Sequence, residues 1–198
     1  MKEIIFVAIS SFGLIFTFFI FEALSRKYKY SPEEMRRIAH IVGALFGVAI
    51  GIFFSKVIFI VAAISFSVLM AFSRRKHIFD HIHRVSRKTF GEELLPLGLL
   101  SAYLIGNADP QIFVPAFLIT GISDPISGFV INKTKNRLFS FLSFVASSAI
   151  LLLIFTPLNL PIILAIALLI GIVEQLFTYG IDNLMVPIAV ALILIKIL

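Results

Sequence analysis

Long apolar runs separated by short polar segments constrain the fold of this chain more than any other feature. Hydrophobic residues make up 60% of its 198 residues and charged residues only 14%, against about 25% charged in an average soluble domain. We count eight predicted membrane spans, at positions 4–24, 38–54, 57–72, 94–106, 112–131, 139–156, 160–177 and 184–197. The pattern predicts an all-α, polytopic membrane helix bundle. No polar stretch is long enough for a soluble domain, so residues 1–198 form a single integral membrane domain.

The basic residues are distributed unevenly between the predicted loops. Of the 17 Lys and Arg residues, 14 fall in the first, third and fifth loops. Cytosolic loops of membrane proteins carry such an excess of Lys and Arg. The distribution predicts that these three loops lie in the cytosol and that both termini lie outside. We therefore expect a multi-pass membrane protein with its charged face on the cytosolic side.

The third loop has the pattern of a helix lying in the cytosolic headgroup region. Ile78, Ile82 and Val85 repeat at helical spacing, and basic side chains occupy the other positions. Three histidines lie in the same loop: His77, His81 and His83. No cysteine occurs in the chain and no tight carboxylate accompanies these histidines, so anchoring to anionic lipid is favoured over metal binding.

An aspartate interrupts the fifth apolar run. Asp124 lies in the segment GISDPISG at positions 121–128, and an ionised Asp in hydrocarbon costs roughly 2.5–3.5 kcal/mol on insertion scales. Pro125 disfavours helical geometry at Asp124, so a bend or break of the helix is expected there. Gly121 and Gly128 lie on the face of Asp124 and leave room for a close approach. Either a functional site or a buried Asp bonded to a neighbouring helix follows from this pattern.

The second apolar run is preceded by a strong helix start signal. Ser31 is placed to cap the helix, and Glu34 to close a capping box, with Pro32 at the first helical position. The helix face then carries Arg36, His40, Gly43 and Gly47, followed by Gly51. The glycines predict close helix packing, within one chain or between two copies, so a homo-oligomer stays open. His40 is either a functional group or an interfacial hydrogen-bonding side chain.

The predicted topology gathers polar residues at one membrane face. The set is His40, Glu92, Glu93, Asp124, Glu174, Asp182 and Asn183. Carboxylates with an amide suit Mg²⁺, which prefers oxygen ligands and shares them with phosphates. Nearby Arg and Lys side chains suit a polyanion. The set indicates a nucleotide–metal site open to lipid, with a transporter as the main rival and no nucleic-acid partner. The sequence has no inverted repeat and no polar residues to line a path through the outer half of the membrane, and both observations argue against transport.

Four segments resemble motifs of one known family. They are EMRRIAH at 34–40, RKTFGEELLPLG at 87–98, ISDPISG at 122–128 and EQLFTYGIDNLMVP at 174–187. In this order they resemble the membrane-embedded dolichol kinase and phytol kinase family, including its small prokaryotic diacylglycerol and polyprenol kinases. More distantly, the chain resembles phosphatidate cytidylyltransferases. The resemblance covers about residue 31 to the end.

The resemblance implies a lipid-alcohol kinase that uses CTP, or another nucleoside triphosphate, with Mg²⁺. It implies that Asp124 and Asp182 hold the metal and that Asn183 and Glu174 take part in nucleotide binding. Lys133 and Lys135 would lie near phosphates, as would the basic pair Arg36 and Arg37. Asp124 and His40 are the candidates for the group that accepts the proton of the lipid hydroxyl.

The chain departs from the family between Asp124 and the sixth run. The family has Glu and Gly in a phosphate-side loop where this chain has Leu138 and Phe139, and the loop is shorter here. A Gly in that place allows the backbone to approach a phosphate. The alternatives are therefore cytidylyl transfer to a lipid phosphate, and a non-catalytic membrane protein or transporter.

Overall fold

The computed structural model describes residues 31–76, 78 and 89–198, together with residues 13, 16–20, 22–23 and 27–28 near the N-terminus. Within these residues the backbone is helical, with turns between the helices and no strand. The all-α prediction is thus confirmed for the described part. Most of the first predicted span and nearly all of the interfacial helix of the third loop lie outside it, as do His77, His81 and His83.

Between residues 32 and 198, the described part of the chain forms eight α-helices and one π-helical turn. They are α1 (Pro32–Phe53), α2 (Lys56–Lys76), α3 (Gly91–Ile105), α4 (Pro110–Leu118), the π-helical turn (Ile119–Ser123), α5 (Asp124–Thr134), α6 (Arg137–Phe155), α7 (Leu160–Leu176) and α8 (Asp182–Ile197).

Among the described residues, four helices are long and apolar enough to cross a membrane. They are α1, α2, α6 and the continuous helix Pro110–Thr134 that joins α4, the π-helical turn and α5. The apolar helix α7, with 17 residues, is shorter, and α3 and α8 have 15 and 16 residues, against the ~20 that a typical bilayer requires. The protein is therefore a helical membrane protein, and the count of eight spans stays a prediction.

The start of α1 follows the predicted capping box. The Ser31 side chain accepts a hydrogen bond from the Glu34 backbone N–H at 3.3 Å, and the Glu34 carboxylate accepts one from the Ser31 N–H at 3.0 Å. Pro32 occupies the first turn, where no backbone donor is needed. Because α1 begins at Pro32, its first two turns precede the apolar run, and His40 lies near the start of that run.

The core is formed where α1, α2 and α8 pack around α3 and α4. Four aromatic rings pack together at its centre: the rings of Phe59 and Tyr103 are stacked with 4.2 Å between their centroids, and Phe113 and Phe117 make further stacked, edge-on and tilted contacts. The glycine face of α1 packs here. A Cβ on Gly47 would lie 3.1 Å from Leu99, so the predicted packing role of the glycines is confirmed within one chain.

Of the bend or break expected at Asp124, the break is wrong, and the bend stays a prediction. Asp124 has helical torsion angles, φ −62° and ψ −51°, and the helix runs on to Thr134. The π-helical turn directly before Asp124 accommodates Pro125, which has no N–H to donate, because such a turn redistributes the backbone hydrogen bonds without ending the helix. What approaches the two flanking glycines is α1: Ala44 contacts the Cβ position of Gly121, and the Arg37 guanidinium contacts that of Gly128.

Two turns set the directions of α4 and α8. A turn at 107–109 joins α3 to α4, and Asp109 caps α4 by accepting a hydrogen bond from the Gln111 N–H at 2.9 Å. Before α8, Tyr179 and Gly180 adopt positive φ values of 60° and 88°. The Phe90 N–H donates to the Tyr179 carbonyl at 2.9 Å. Consequently α3 and α8 begin side by side, and Asp182 and Asn183 belong to α8 instead of the predicted loop.

Candidate functional site

Four described helices, α1, α3, α5 and α8, contribute buried or half-buried ionisable and amide side chains to one end of the bundle. We call this set the polar cluster: Arg36, Arg37, His40, Glu92, Asp124, Asp182 and Asn183. Arg36, Arg37, His40, Glu92 and Asn183 are all buried, and Asp124 and Asp182 are half-buried. Burying such side chains in a membrane helix bundle is energetically costly, and it occurs where the charges are paired or functional.

The histidine and the aspartate singled out from sequence lie opposite each other. His40 Nδ1 on α1 is 3.7 Å from Asp124 Oδ2 on α5, and the His40 side chain is 3% exposed against 21% for Asp124. The distance is that of an ion pair if the imidazole is protonated, and it is longer than a good hydrogen bond. The Nε2 atom of His40 is buried and has no partner within the described protein. His40 therefore presents one nitrogen to Asp124 and keeps the other available to a ligand.

Two arginines surround this pair. Arg36 interacts electrostatically with Asp124, Glu92 and Glu33, and its Nη2 atom lies 3.3 Å from Glu33 Oε2. Arg37 reaches the same carboxylate at 4.0 Å. It also lies over the ring of Phe129, with 5.2 Å to the ring centroid. Both guanidinium groups are thus held beside the carboxylates of the cluster, where they favour an anionic ligand.

The first turn of α8 supplies a second carboxylate and an amide. Burial, followed by the negative charge of Asp124, raises the pKa of the Asp182 carboxyl to about 6. Asn183 is 1% exposed, and both its Oδ1 and Nδ2 atoms lack a hydrogen-bond partner within the described protein. A buried unpaired amide is destabilising and calls for an explanation such as a ligand. Gly91 makes the packing possible, because a Cβ there would contact Asn183 Nδ2.

Arg74, which the sequence reasoning did not select, holds the start of α3. Its Nη2 atom is 2.5 Å from Glu92 Oε2 and its Nε atom is 2.9 Å from Glu93 Oε1. It also donates to the Thr89 carbonyl. Burial raises the pKa of the Glu93 carboxyl, against the opposing charge of Arg74. Arg74 was one of many loop cations in sequence, and no spacing signal identifies its partners on α3.

The remaining predicted residues lie outside the buried cluster. Lys133 and Lys135 are exposed at the end of α5, and Lys135 ends that helix with a positive φ of 57°. Glu174 lies near the end of α7 and accepts a hydrogen bond from Gln175 Nε2 at 2.5 Å. Their predicted nucleotide contacts stay predictions.

The polar cluster offers a small set of possible ligands for Mg²⁺. Among the described residues, no group of three or more His, Asp or Glu side chains is arranged to hold a metal. Mg²⁺ needs fewer protein ligands, because it often binds through one or two carboxylates and completes its shell with water and substrate phosphates. Asp124 and Asp182, which interact electrostatically, with the unpartnered Asn183 Oδ1 atom, fit this smaller set.

Fold and site together define a class: a helical membrane protein with a buried cluster of acidic, basic and amide side chains at one end of its bundle. The chain matches no protein-family model, no curated protein and no solved structure. The kinase-like resemblance therefore rests on the four sequence motifs, whose residues include every member of the polar cluster.

Proposed function

We propose that the protein is a membrane-embedded lipid-alcohol kinase. It transfers a phosphoryl group from CTP, or another nucleoside triphosphate, to the hydroxyl of a polyprenol, a phytol-like alcohol or a diacylglycerol. The observation that carries this proposal is the pairing of His40 with Asp124 beside two buried arginines. A proton acceptor and a polyanion site are the two things that phosphoryl transfer to an alcohol requires.

In this proposal, different residues of the polar cluster take different roles in the reaction. The oxygen of the lipid hydroxyl attacks the terminal phosphorus of the donor, forming one P–O bond while the bond to the bridging oxygen breaks. The nucleoside diphosphate leaves with the electron pair of that bond. The hydroxyl proton moves to His40 or Asp124, and Arg36 and Arg37 stabilise the negative charge on the phosphates. Positioning and charge neutralisation are the main contributions that such a reaction needs.

Asp124 and Asp182 would hold Mg²⁺, with Asn183 beside them. The ion would supply further neutralisation of the phosphate charge. Lys133 and Lys135 are proposed to meet phosphates from the exposed end of α5, and Glu174 to support nucleotide binding from the end of α7. These roles come from the motif resemblance, and the exposed positions of the two lysines leave them accessible to a soluble nucleotide.

We also propose that the chain crosses a prokaryotic cell membrane eight times, with the polar cluster at the cytosolic face. The concentration of Lys and Arg in alternate loops supports this orientation. Such a site receives the nucleotide from the cytosol and the lipid from the bilayer.

The first test is phosphorylation in lipid nanodiscs with Mg²⁺, CTP or ATP, and a panel of lipid alcohols. We expect the wild type to release nucleoside diphosphate and phosphorylated lipid, and Asp124→Asn and Asp182→Asn to lose at least a hundredfold in rate, since each removes a charge from the proposed metal site. Asp109→Asn is the matched control. Asp109 is exposed and caps α4, and Asn caps helices as well as Asp.

The same assay separates the alternatives. Release of pyrophosphate with a CDP-lipid would replace the kinase by a cytidylyltransferase. Absence of product, together with absence of nucleotide binding by calorimetry, would exclude both and leave a non-catalytic protein or transporter. Equal loss of rate in all three variants would indicate a general folding defect instead of a site at Asp124 and Asp182.

A further inference from the structure

A single arginine at the end of α2 holds the first residues of α3. The Arg74 side chain donates to the Thr89 carbonyl and lies over the Phe90 ring, with 5.6 Å to the ring centroid. It also forms ion pairs with Glu92 Oε2 at 2.5 Å and with Glu93 Oε1 at 2.9 Å. These contacts to neighbouring residues fix the position of the segment 89–93, which we call the α3 start.

The α3 start also contacts the turn before α8 and the polar cluster. The Phe90 N–H donates to the Tyr179 carbonyl at 2.9 Å. A Cβ on Gly91 would collide with Asn183 Nδ2 and would lie 3.5 Å from Arg36 Nη1. The α3 start therefore connects Arg74, which is not a member of the polar cluster, with Arg36 and Asn183, which are.

Arg36 and Glu92 attract each other without being bonded. The two side chains interact electrostatically, yet Arg36 Nε and Glu92 Oε1 are both buried and lack a hydrogen-bond partner within the described protein. Each side chain is held by a different residue instead. Glu33 Oε2 lies 3.3 Å from Arg36 Nη2, and Arg74 binds the other oxygen of Glu92. A buried donor and a buried acceptor that stay unpaired are costly, and they call for a partner such as a ligand.

The two unpartnered atoms require different groups of a ligand. Arg36 Nε is a charged donor and suits an anionic oxygen, whereas Glu92 Oε1 accepts from an O–H or N–H group. A phosphate group with a hydroxyl or amino group nearby carries both. For such a ligand to bind, the guanidinium of Arg36 must stay available, although a buried carboxylate of opposite charge lies within electrostatic range of it.

We infer that Arg74 is a positioning residue, which holds Glu92 so that Arg36 stays available to a phosphate group of the ligand. Without Arg74, Glu92 would keep its attraction to Arg36, and the ion pair that forms would compete with the phosphate. The inference rests on the proposed function for the nature of the ligand, a nucleoside triphosphate. It adds a residue that none of the four sequence motifs contains.

Binding of CTP and of inorganic pyrophosphate, each with Mg²⁺, tests the inference without any turnover. Calorimetry in detergent compares Arg74→Gln with Arg75→Gln. Arg75 is the matched control, because it is the next residue of α2, is exposed and carries the same charge. We expect Arg74→Gln to weaken the binding of both probes about tenfold, as for the loss of one hydrogen bond to a charged group. Arg75→Gln should leave both affinities unchanged.

Two double variants separate this role from a general support of the fold. Arg74→Gln/Glu92→Gln removes the carboxylate that competes for Arg36, so its affinity should return close to that of the wild type. Arg74→Gln/Glu93→Gln is the matched control, because it removes the other carboxylate that Arg74 holds. Glu93 is not among the described acidic residues that interact with Arg36, so this variant should bind as weakly as Arg74→Gln. The comparison of the two double variants carries the test even if Arg74→Gln alone is too unstable to purify.

The outcomes distinguish this inference from the proposed function. Equal binding by Arg74→Gln and Arg75→Gln would overturn the inference and leave the kinase proposal untouched. Recovery of affinity in both double variants, or in neither, would also overturn it, because Arg74 would then act only through the packing of α3. The expected ranking of variants in a protein that binds the probes but transfers no phosphoryl group would support the positioning role while contradicting the kinase. A wild-type protein that binds neither probe would contradict both.

Discussion

At Asn183, a structural role and a functional role lead to different expectations for stability and for nucleotide binding. At 1% exposure and with no partner for either amide atom within the described protein, it lowers the stability of the fold unless a ligand satisfies it. We therefore expect Asn183→Leu to raise the unfolding free energy of the ligand-free protein by about 1–3 kcal/mol and to abolish nucleotide binding. Thermal unfolding in detergent and calorimetry with CTP and Mg²⁺ measure the two effects.

Ser148→Ala is the control for Asn183→Leu. Ser148 on α6 is also fully buried and its Oγ atom lacks a partner within the described protein, but it is outside the polar cluster. Its removal should leave nucleotide binding unchanged. Wild-type affinity for CTP in Asn183→Leu would assign the amide to packing only.

At the scale of single residues, the sequence motifs predicted the members of the cluster better than their surroundings. That His40 and Asp124 lie at the same end of the bundle was inferable, because the predicted topology placed both at one membrane face. The clamp of Arg74 on Glu92 and Glu93 was not, since the choice of partner depends on how α2 packs against α3. The burial of Asn183 also depends on tertiary packing, because it requires the close approach of α8 to Gly91.

At the scale of helices, the π-helical turn before Asp124 is the main departure from the sequence-based expectation. A proline signal predicts that a backbone hydrogen bond is lost, but it does not distinguish a broken helix from one that widens by a residue. The close packing of the π-helical turn against α1 depends on Gly121, because a Cβ there would collide with Ala44 of α1. The start of α1, in contrast, was predictable from local chemistry, as Ser31 shows, whereas the cap of α4 by Asp109 was not predicted.

We expect Gly121→Ala to destabilise the protein by about 1–3 kcal/mol through overpacking, because neither Ala44 nor the α1 backbone can move aside cheaply. It should also weaken nucleotide binding by displacing His40 from Asp124. Gly43→Ala on α1 is the control, since its Cβ would lie 3.6 Å from Leu95 of α3, an ordinary contact. Thermal unfolding of both variants in one detergent compares them, and equal stability would show that α1 and the π-helical turn are not tightly fitted.

At the scale of the whole molecule, the apolar surface and the four helices of spanning length identify a membrane protein, while charge asymmetry alone predicts its orientation. The number of crossings was not predictable from hydropathy with the same certainty. Helices of 15 to 17 residues such as α3, α7 and α8 are apolar enough to be counted as spans, yet they fall short of the bilayer thickness unless their polar ends extend them.

The orientation can be tested directly because the chain contains no cysteine. Gln111 and Lys133 are both exposed and lie near opposite ends of the continuous helix Pro110–Thr134, about 33 Å apart along its axis. We expect Gln111→Cys to react with a membrane-impermeant maleimide in intact cells, and Lys133→Cys to react only after the membrane is permeabilised. If the labelling is reversed, the polar cluster faces away from cytosolic nucleotide and the kinase proposal fails. If both cysteines react from one side, this helix does not cross the membrane, and the eight-span arrangement fails with it.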